Sequence, residues 1–295
     1  MSDQLIKIEI LNSRIKLWRT LSVVIICLSL LLVNYVDFSG LTKIVGMQYI
    51  AQININEQIS HNKSRDNLLK QLAKNDNAKA LILIIDSPGG SVVDSEILYQ
   101  QIRDIAEKKP VVTVLNNLAA SGGYMVAIAA DHIIAHSNTL TGSIGVIAQY
   151  IGFEPIAKKL GISLKSIKTS ELKAAMSPFE DLTPNGEKYM QNIVNESYNF
   201  FVDLIVHRRH LTKEYVLKIA DGRLYTGSQA FKIGLVDQIG GEKDAIIWLN
   251  TQRNIKTSRI KNFSYKNIVS SRTLFSSITQ YMYTLLPQFQ HLAIY

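Results

Sequence analysis

The chain has 295 residues, 47% of them apolar, enough for one large domain or two small ones with a sizeable core. Thirty-two Lys and Arg against 24 Asp and Glu give a formal charge of +8, but the basic residues are spread out. That spread suits solubility and attraction to anionic membrane and lacks the clustered, aromatic-interleaved stripe of a nucleic-acid binder. A single cysteine, Cys27, excludes an intrachain disulfide, and no Cys/His cluster has metal-ligand spacing, so no metal or other cofactor is expected.

The first predicted element is apolar. Seventeen uncharged residues lie between Arg19 and Asp37, flanked by Trp18 and Tyr35. This reads as a short membrane-spanning helix over 20–38. Lys7, Arg14, Lys16 and Arg19 precede it, so residues 1–19 are expected in the cytoplasm and everything after Asp37 across the membrane. A cleaved signal peptide is the rival reading, but no alanine occurs before Ala51 to make a small-residue cleavage site. A buried core helix is a third reading.

A linker over 39–46 leads to a domain expected over 47–255. Met47–Ile55 is a strand candidate, and 64–74 a helix with Leu68, Leu69 and Leu72 on one stripe. Lys79–Asp86 is a nearly continuous aliphatic run, as in a strand buried on both faces of a parallel sheet. A helix follows over about 92–107, then a strand at Val111–Leu115 and a helix opened by Ser121. His132–His136 and Ser143–Ala148 read as two more strands. Helices are expected over 154–160, 184–207, 213–220 and 228–233, and Gly234–Gly241 reads as turn, strand, turn. Residues 256–295 form a basic, aromatic-bearing tail; Tyr281–Leu286 within it could pack on a partner, on the membrane or on its own domain. Alternating strands and helices predict an α/β fold of repeated βαβ units.

Two segments carry chemistry. In Ile84–Ser91, a strand ends in Ser87-Pro88-Gly89-Gly90, whose glycine amides stand ahead of a helix and could hold an oxyanion; a purely structural turn is the alternative. In Ala119–Gly123, Ser121 follows a strand and opens a helix. It is either an N-cap or a nucleophile, with the Gly122 amide as one oxyanion donor and that of Gly90 as the second. The base could be a histidine, but His132 and His136 read better as strand ends. The other possibility is a lysine kept neutral by apolar surroundings. Lys173, followed by Ala174, Ala175 and Met176, is the candidate; an ordinary surface lysine is the alternative.

The ordered set IIDSPGGSVVDSE, AASGGYMVAIAAD, TLTGSIGVI, KTSELKAAMSPF and DGRLYTGSQAFKIGLVDQIGG resembles the signal peptide peptidase A (protease IV) family, over roughly 47–249. The resemblance implies a fold like that of the ClpP proteases and crotonases, a Ser121 nucleophile and a Lys173 general base. It further implies oxyanion amides at Gly90 and Gly122 and a second serine, Ser143, on the lysine ammonium. Where the family often reads S-G-x-Y-K-D, this chain has Ser170-Glu171-Leu172-Lys173-Ala174 after Thr169, so the glycine and the aspartate are missing. Longer members carry two copies of the unit; one copy here implies a homo-oligomeric ring in which Ser121 and Lys173 of different protomers could meet. The expected substrates are apolar peptides such as remnant signal peptides. The expected site of action is the outer face of a bacterial cytoplasmic membrane, with membrane lipid and further copies as partners. A related membrane-protein quality-control protease, a crotonase-like non-peptidase and a non-catalytic membrane scaffold are the competing readings.

Overall fold

In the computed structural model, residues 17–22, 24–25 and 47–265 are described. The chain divides into two units, Met1–Gln48 and Tyr49–Tyr295. In the first, residues 17–22 and 24–25 are helical and exposed. Most of the expected anchor over 20–38, and the segment Tyr281–Leu286, lie outside the described residues. Among the described residues no helix is long and apolar enough to cross a membrane.

The second unit is built on parallel strands. β1 (Tyr49–Asn56), β2 (Ala78–Ser87) and β3 (Val111–Ala120) pair in parallel, β2 in the middle. Alternate residues along these strands feed two cores. Ile53, Ile55, Leu81, Leu83, Ile85 and Val111 face one side, where α1 (Lys63–Lys74), α2 (Val92–Ala106), α3 (Gly122–Ala127) and α5 (Pro184–Arg209) contribute Leu69, Leu98, Tyr124 and Phe201. Ile50, Ile82, Ile84, Val112 and Val114 face the other, against Ala245 and Leu249 of α8 (Glu242–Arg253). This two-sided burial is why the aliphatic run of β2 lacks polar alternation. Each such buried Ile, Leu or Val contributes on the order of 1.5–3 kcal/mol.

Capping sets where helices begin. Ser91 accepts from the Asp94 N–H (3.1 Å) ahead of α2, and Thr183 from the Gly186 N–H (3.1 Å) ahead of α5, with Pro184 at the first helical position. α5 stops at His210, which sits in the left-handed region at φ +54°.

The far half of β3 changes partner. Val112–Leu115 pair with β4 (His132–Ala135), whereas Leu118–Ala120 pair with β5 (Leu140–Gly142). An irregularity between Ile85 and Ser87 in the β2–β3 register marks the switch. The Asp86 carboxylate lies there, accepting from Asn116 Nδ2 (3.3 Å), Asn117 Nδ2 (2.8 Å) and the Leu118 N–H (3.2 Å). β5 pairs antiparallel with β6 (Leu224–Thr226), and β4 in parallel with β7 (Gln238–Ile239).

Two expectations change. Ser143–Ala148 is not a strand: three residues, Leu140–Gly142, hold the pairing, and positive φ at Gly142 and Ser143 turns the chain out of the sheet. The segment set apart as a tail from 256 returns as β8 (Ile260–Phe263), which pairs in parallel with β1. Its Phe263 packs beside Tyr49 with ring centroids 6.0 Å apart, and Lys261 lies over both rings. That edge strand depends on a partner some two hundred residues away and has no strong alternation of its own.

Candidate active site

Ser121 stands where β3 ends and α3 begins. Its backbone is at φ +53°, ψ −122°, and its N–H donates to the Gly142 carbonyl (2.8 Å). Such a conformation in a non-glycine residue costs on the order of 1–3 kcal/mol and persists only where the surroundings enforce it. The hydroxyl occupies the N-cap position but makes no capping bond to α3. At this strained strand-to-helix turn Ser121 lines a cleft rather than capping α3, the placement a nucleophile elbow would need.

The Ser87–Ser91 turn packs against it. Gly89 is at φ +102°, and a Cβ there would come within 2.7 Å of the Gly122 nitrogen and 2.9 Å of the Ala120 oxygen. Gly90 forms a parallel bridge with Ile59, held by Ile59 N–H to Gly89 O (2.7 Å) and Ser91 N–H to Ile59 O (3.3 Å). In that bridge the flanking residues make the bonds, so the Gly90 N–H points away from Ile59. The space a Gly122 Cβ would need is taken by Ser95 Oγ and lies 3.2 Å from Gly90 N. Gly122 thus lies close to Gly90 because it has no side chain, and the missing side chain of Gly90 makes room for the Ile59 backbone.

Ser121, Gly90 and Ser143 share one cleft of about 630 Å³. Its lining is about evenly polar and apolar: Val92, Ile144, Val146 and Val194 stand beside Ser121, Ser143, Asn195 and Tyr198, and among the described residues Asp221 is the one charged residue there. Ser143 is also at positive φ (+47°), and its N–H donates to Arg223 O (2.9 Å). The cleft wall from α5 carries no local motif that announces a site, and although Asp221 opens the family-like segment that runs to Gly241, only the folded chain brings it here.

Lys173 lies elsewhere in this protomer. It sits in an exposed turn, its N–H donating to Ser170 O (3.2 Å), and it is not among the residues lining the cleft. Among the described residues no hydrogen bond joins its Nζ to Ser121. His132 does not line the cleft either: its ring stacks on Trp248 (4.7 Å) and Nε2 meets Gln238 Oε1 (3.1 Å). Carboxylates flank the lysine turn. Hydrogen bonds from Thr183 and then Asn185 hold Glu171 below the usual glutamate range, and those from Lys168 and then Ser166 do the same for Glu180.

Comparison with known proteins fits this arrangement. The model of peptidase family S49 matches residues 103–256, from the end of α2 to just past α8, Ser121 and Lys173 included. The chain belongs to peptidase family S49. A Clp protease model matches residues 42–152, which hold β1–β5 and the Ser121 turn. The protein slr0021 of Synechocystis sp. is 38% identical over 214 residues, 72% of this chain and 77% of that protein. MJ0651 of Methanocaldococcus jannaschii is 42% identical over 197 residues, 67% of this chain and 63% of that protein. Protease 4 of Haemophilus influenzae is 38% identical over 180 residues, 61% of this chain and 29% of the longer relative. The chain thus spans less than two thirds of the length of two of these three, and the S49 domain is that of a serine peptidase of the protease 4 and signal peptide peptidase type.

Proposed function

We propose that this S49 chain is a serine endopeptidase acting on apolar peptides, with remnant signal peptides as its substrates. The observation that carries the reading is the strained Ser121, which makes no capping bond and lines a half-apolar cleft beside the close-packed Gly90 and Gly122 backbones. Ser121 Oγ attacks the peptide carbonyl and its proton passes to neutral Lys173. The carbonyl oxygen, now negative, is held by the Gly90 and Gly122 N–H groups. The lysine ammonium protonates the leaving amine, and water, deprotonated by the same lysine, releases the acyl group from Ser121. Ser143 orients the amine.

A lysine works as a base only when uncharged, which an apolar, water-poor setting favours. In one protomer Lys173 is exposed, so in this reading a second copy supplies the setting. Support comes from the segment that carries it: Ile147, Leu160, Ile162 and Ile167 are all exposed there. Exposed apolar side chains gathered in one segment are candidates for an interaction surface. An anchor over 20–38 would hold the domain at the membrane where released signal peptides lie, in keeping with the extracytoplasmic placement read from the flanking charges.

The test is to treat the full chain with a fluorophosphonate probe and map the adduct. A single adduct on Ser121, lost in Ser121→Ala, is expected. Absence of labelling, or an adduct on another serine, overturns the proposal.

A further inference from the structure

The one charged residue of the cleft lining, Asp221, turns its carboxylate onto its own turn. Oδ1 accepts from the Arg223 backbone N–H (3.2 Å) and from Arg223 Nε (2.9 Å). Oδ2 accepts from Nε (2.7 Å) and lies 2.5 Å from the Arg223 NH2 nitrogen. Gly222, between them, is at φ +85°. The carboxylate and its arginine thus close a tight three-residue turn.

The backbone of that turn faces the site. The Gly222 N–H donates to Ile144 O (3.1 Å), and Arg223 O accepts from the Ser143 N–H (2.9 Å). These bonds continue the β5–β6 ladder, whose last pair is Gly142 with Leu224, one step further along the chain. Gly142 in turn accepts from the Ser121 N–H (2.8 Å). A Cβ at Gly142 would lie 2.8 Å from Tyr225 Cδ2 and 3.3 Å from Arg223 O, so the β6 side lies tight against it. One bonded path therefore runs from the Asp221 carboxylate through residues 142–144 to the backbone of Ser121. Along it, Gly142, Ser143 and Ser121 all have positive φ, the condition that needs support from neighbours.

We infer that Asp221 is a positioning residue for the Ser121 centre: by closing the 221–223 turn on Arg223 it holds the 142–144 backbone that sets both Ser121 and Ser143. The inference rests on the proposed peptidase reading. Both partners of the ion pair are well exposed, so the pair adds little to global stability. What it fixes is local. A misplacement of 1 Å in an active site costs on the order of 10²-fold, and a loosened turn is expected to cost about tenfold. Tyr198 of α5 donates to Ala220 O (2.8 Å), a bond made ahead of the Asp221 carboxylate and without it, so substrate binding is expected to be nearly unchanged.

The experiment uses the full chain, a fluorogenic apolar peptide and the fluorophosphonate probe, with Asp221→Asn, Asp221→Ala and Arg223→Lys. In Asp221→Asn and Asp221→Ala, kcat and the labelling rate of Ser121 should both fall about tenfold, with KM and Tm nearly unchanged. Arg223→Lys, which keeps the cation but not the two-pronged geometry, should fall between these and the wild type. Unchanged kcat and labelling in Asp221→Ala overturn the inference. So does a loss confined to KM, which would make the carboxylate a substrate contact, or a loss that tracks Tm across the three variants. If wild-type protein takes no label, the peptidase reading falls and takes this inference with it.

Discussion

The stretch from β1 to β5 and the segment over 143–183 are neighbours in sequence and opposites in packing. In the first, the central strand β2 is buried along nearly its whole length, and the Ser121 turn is wedged between Gly89, Gly90 and Ser95. In the second, Ile167 is 98% exposed, Ile147 80% and Leu160 70%, and the secondary structure is one short helix, α4 (Glu154–Lys159). The serine and both proposed oxyanion amides belong to the finished region; the proposed base belongs to the uncovered one. The contrast teaches that one protomer can set the proposed nucleophile and oxyanion amides in its own core, while the proposed base is left presented outward. It is the physical ground of the proposal that a neighbouring copy's cleft receives Lys173.

The largest effect is expected at the heart of the buried region. Ser121→Ala should abolish peptidase activity while leaving Tm within a degree or two, since the hydroxyl makes no capping bond; residual turnover at the wild-type rate would place the nucleophile elsewhere. Next is Gly122→Ala. Its Cβ would overlap Ser95 Oγ and push the turn off its neighbours, so activity should fall on the order of 10²–10³-fold, the usual cost of an oxyanion donor. Pairing it with Ser95→Gly, which frees the space, should restore part of the rate; no rescue in a folded double variant would disconnect the close packing from catalysis.

In the uncovered region, Ile167→Asp should leave the protomer folded, because a side chain that is already exposed adds nothing to its core. If that surface seats a second copy, sedimentation should show smaller assemblies and activity should drop at least tenfold. Full activity in a dispersed variant would argue that each protomer works alone. The smallest effect concerns pH. Glu171 and Glu180 are held below the usual glutamate range in the folded chain by hydrogen bonds from Thr183 and Lys168 respectively. Their contribution is therefore fully present above the ordinary glutamate value and is lost as pH falls through the depressed folded values. Amide exchange across 163–183, corrected for its intrinsic pH dependence, should quicken modestly in that acid window, while β2 stays protected.

The strands and helices of the buried region were legible because burial writes itself into sequence: aliphatic runs at Lys79–Asp86 and Val111–Leu115, and glycines where backbones meet. Ser121 and Gly90 could be singled out as candidates, with a helix cap and a structural turn as the alternatives, and only the family resemblance gave them site roles. β8 and the end of β3 were not legible, because pairing with β1 and β5 decides them rather than any pattern of their own. Ser143–Ala148 misled for the opposite reason: its apolar residues suit a strand, yet the turn at Gly142 and Ser143 steers them to the cleft wall instead. Asp221 opens a segment quoted for the family resemblance but carried no role, because its inferred effect passes through backbone bonds to residues some eighty positions earlier. Lys173 could be picked out only by its small, apolar successors and by family resemblance; the fold of one protomer does not bring it to the cleft.

The most direct test of a Ser121 centre completed by a neighbour's Lys173 is to mix two inactive full-length variants, Ser121→Ala and Lys173→Ala, dissociated and reassembled together. Mixed assemblies contain contacts where an intact serine meets an intact lysine, so the account predicts that activity returns on mixing although neither variant has any alone. A mixture that stays silent, although cross-linking shows the two variants assembled side by side, would contradict it.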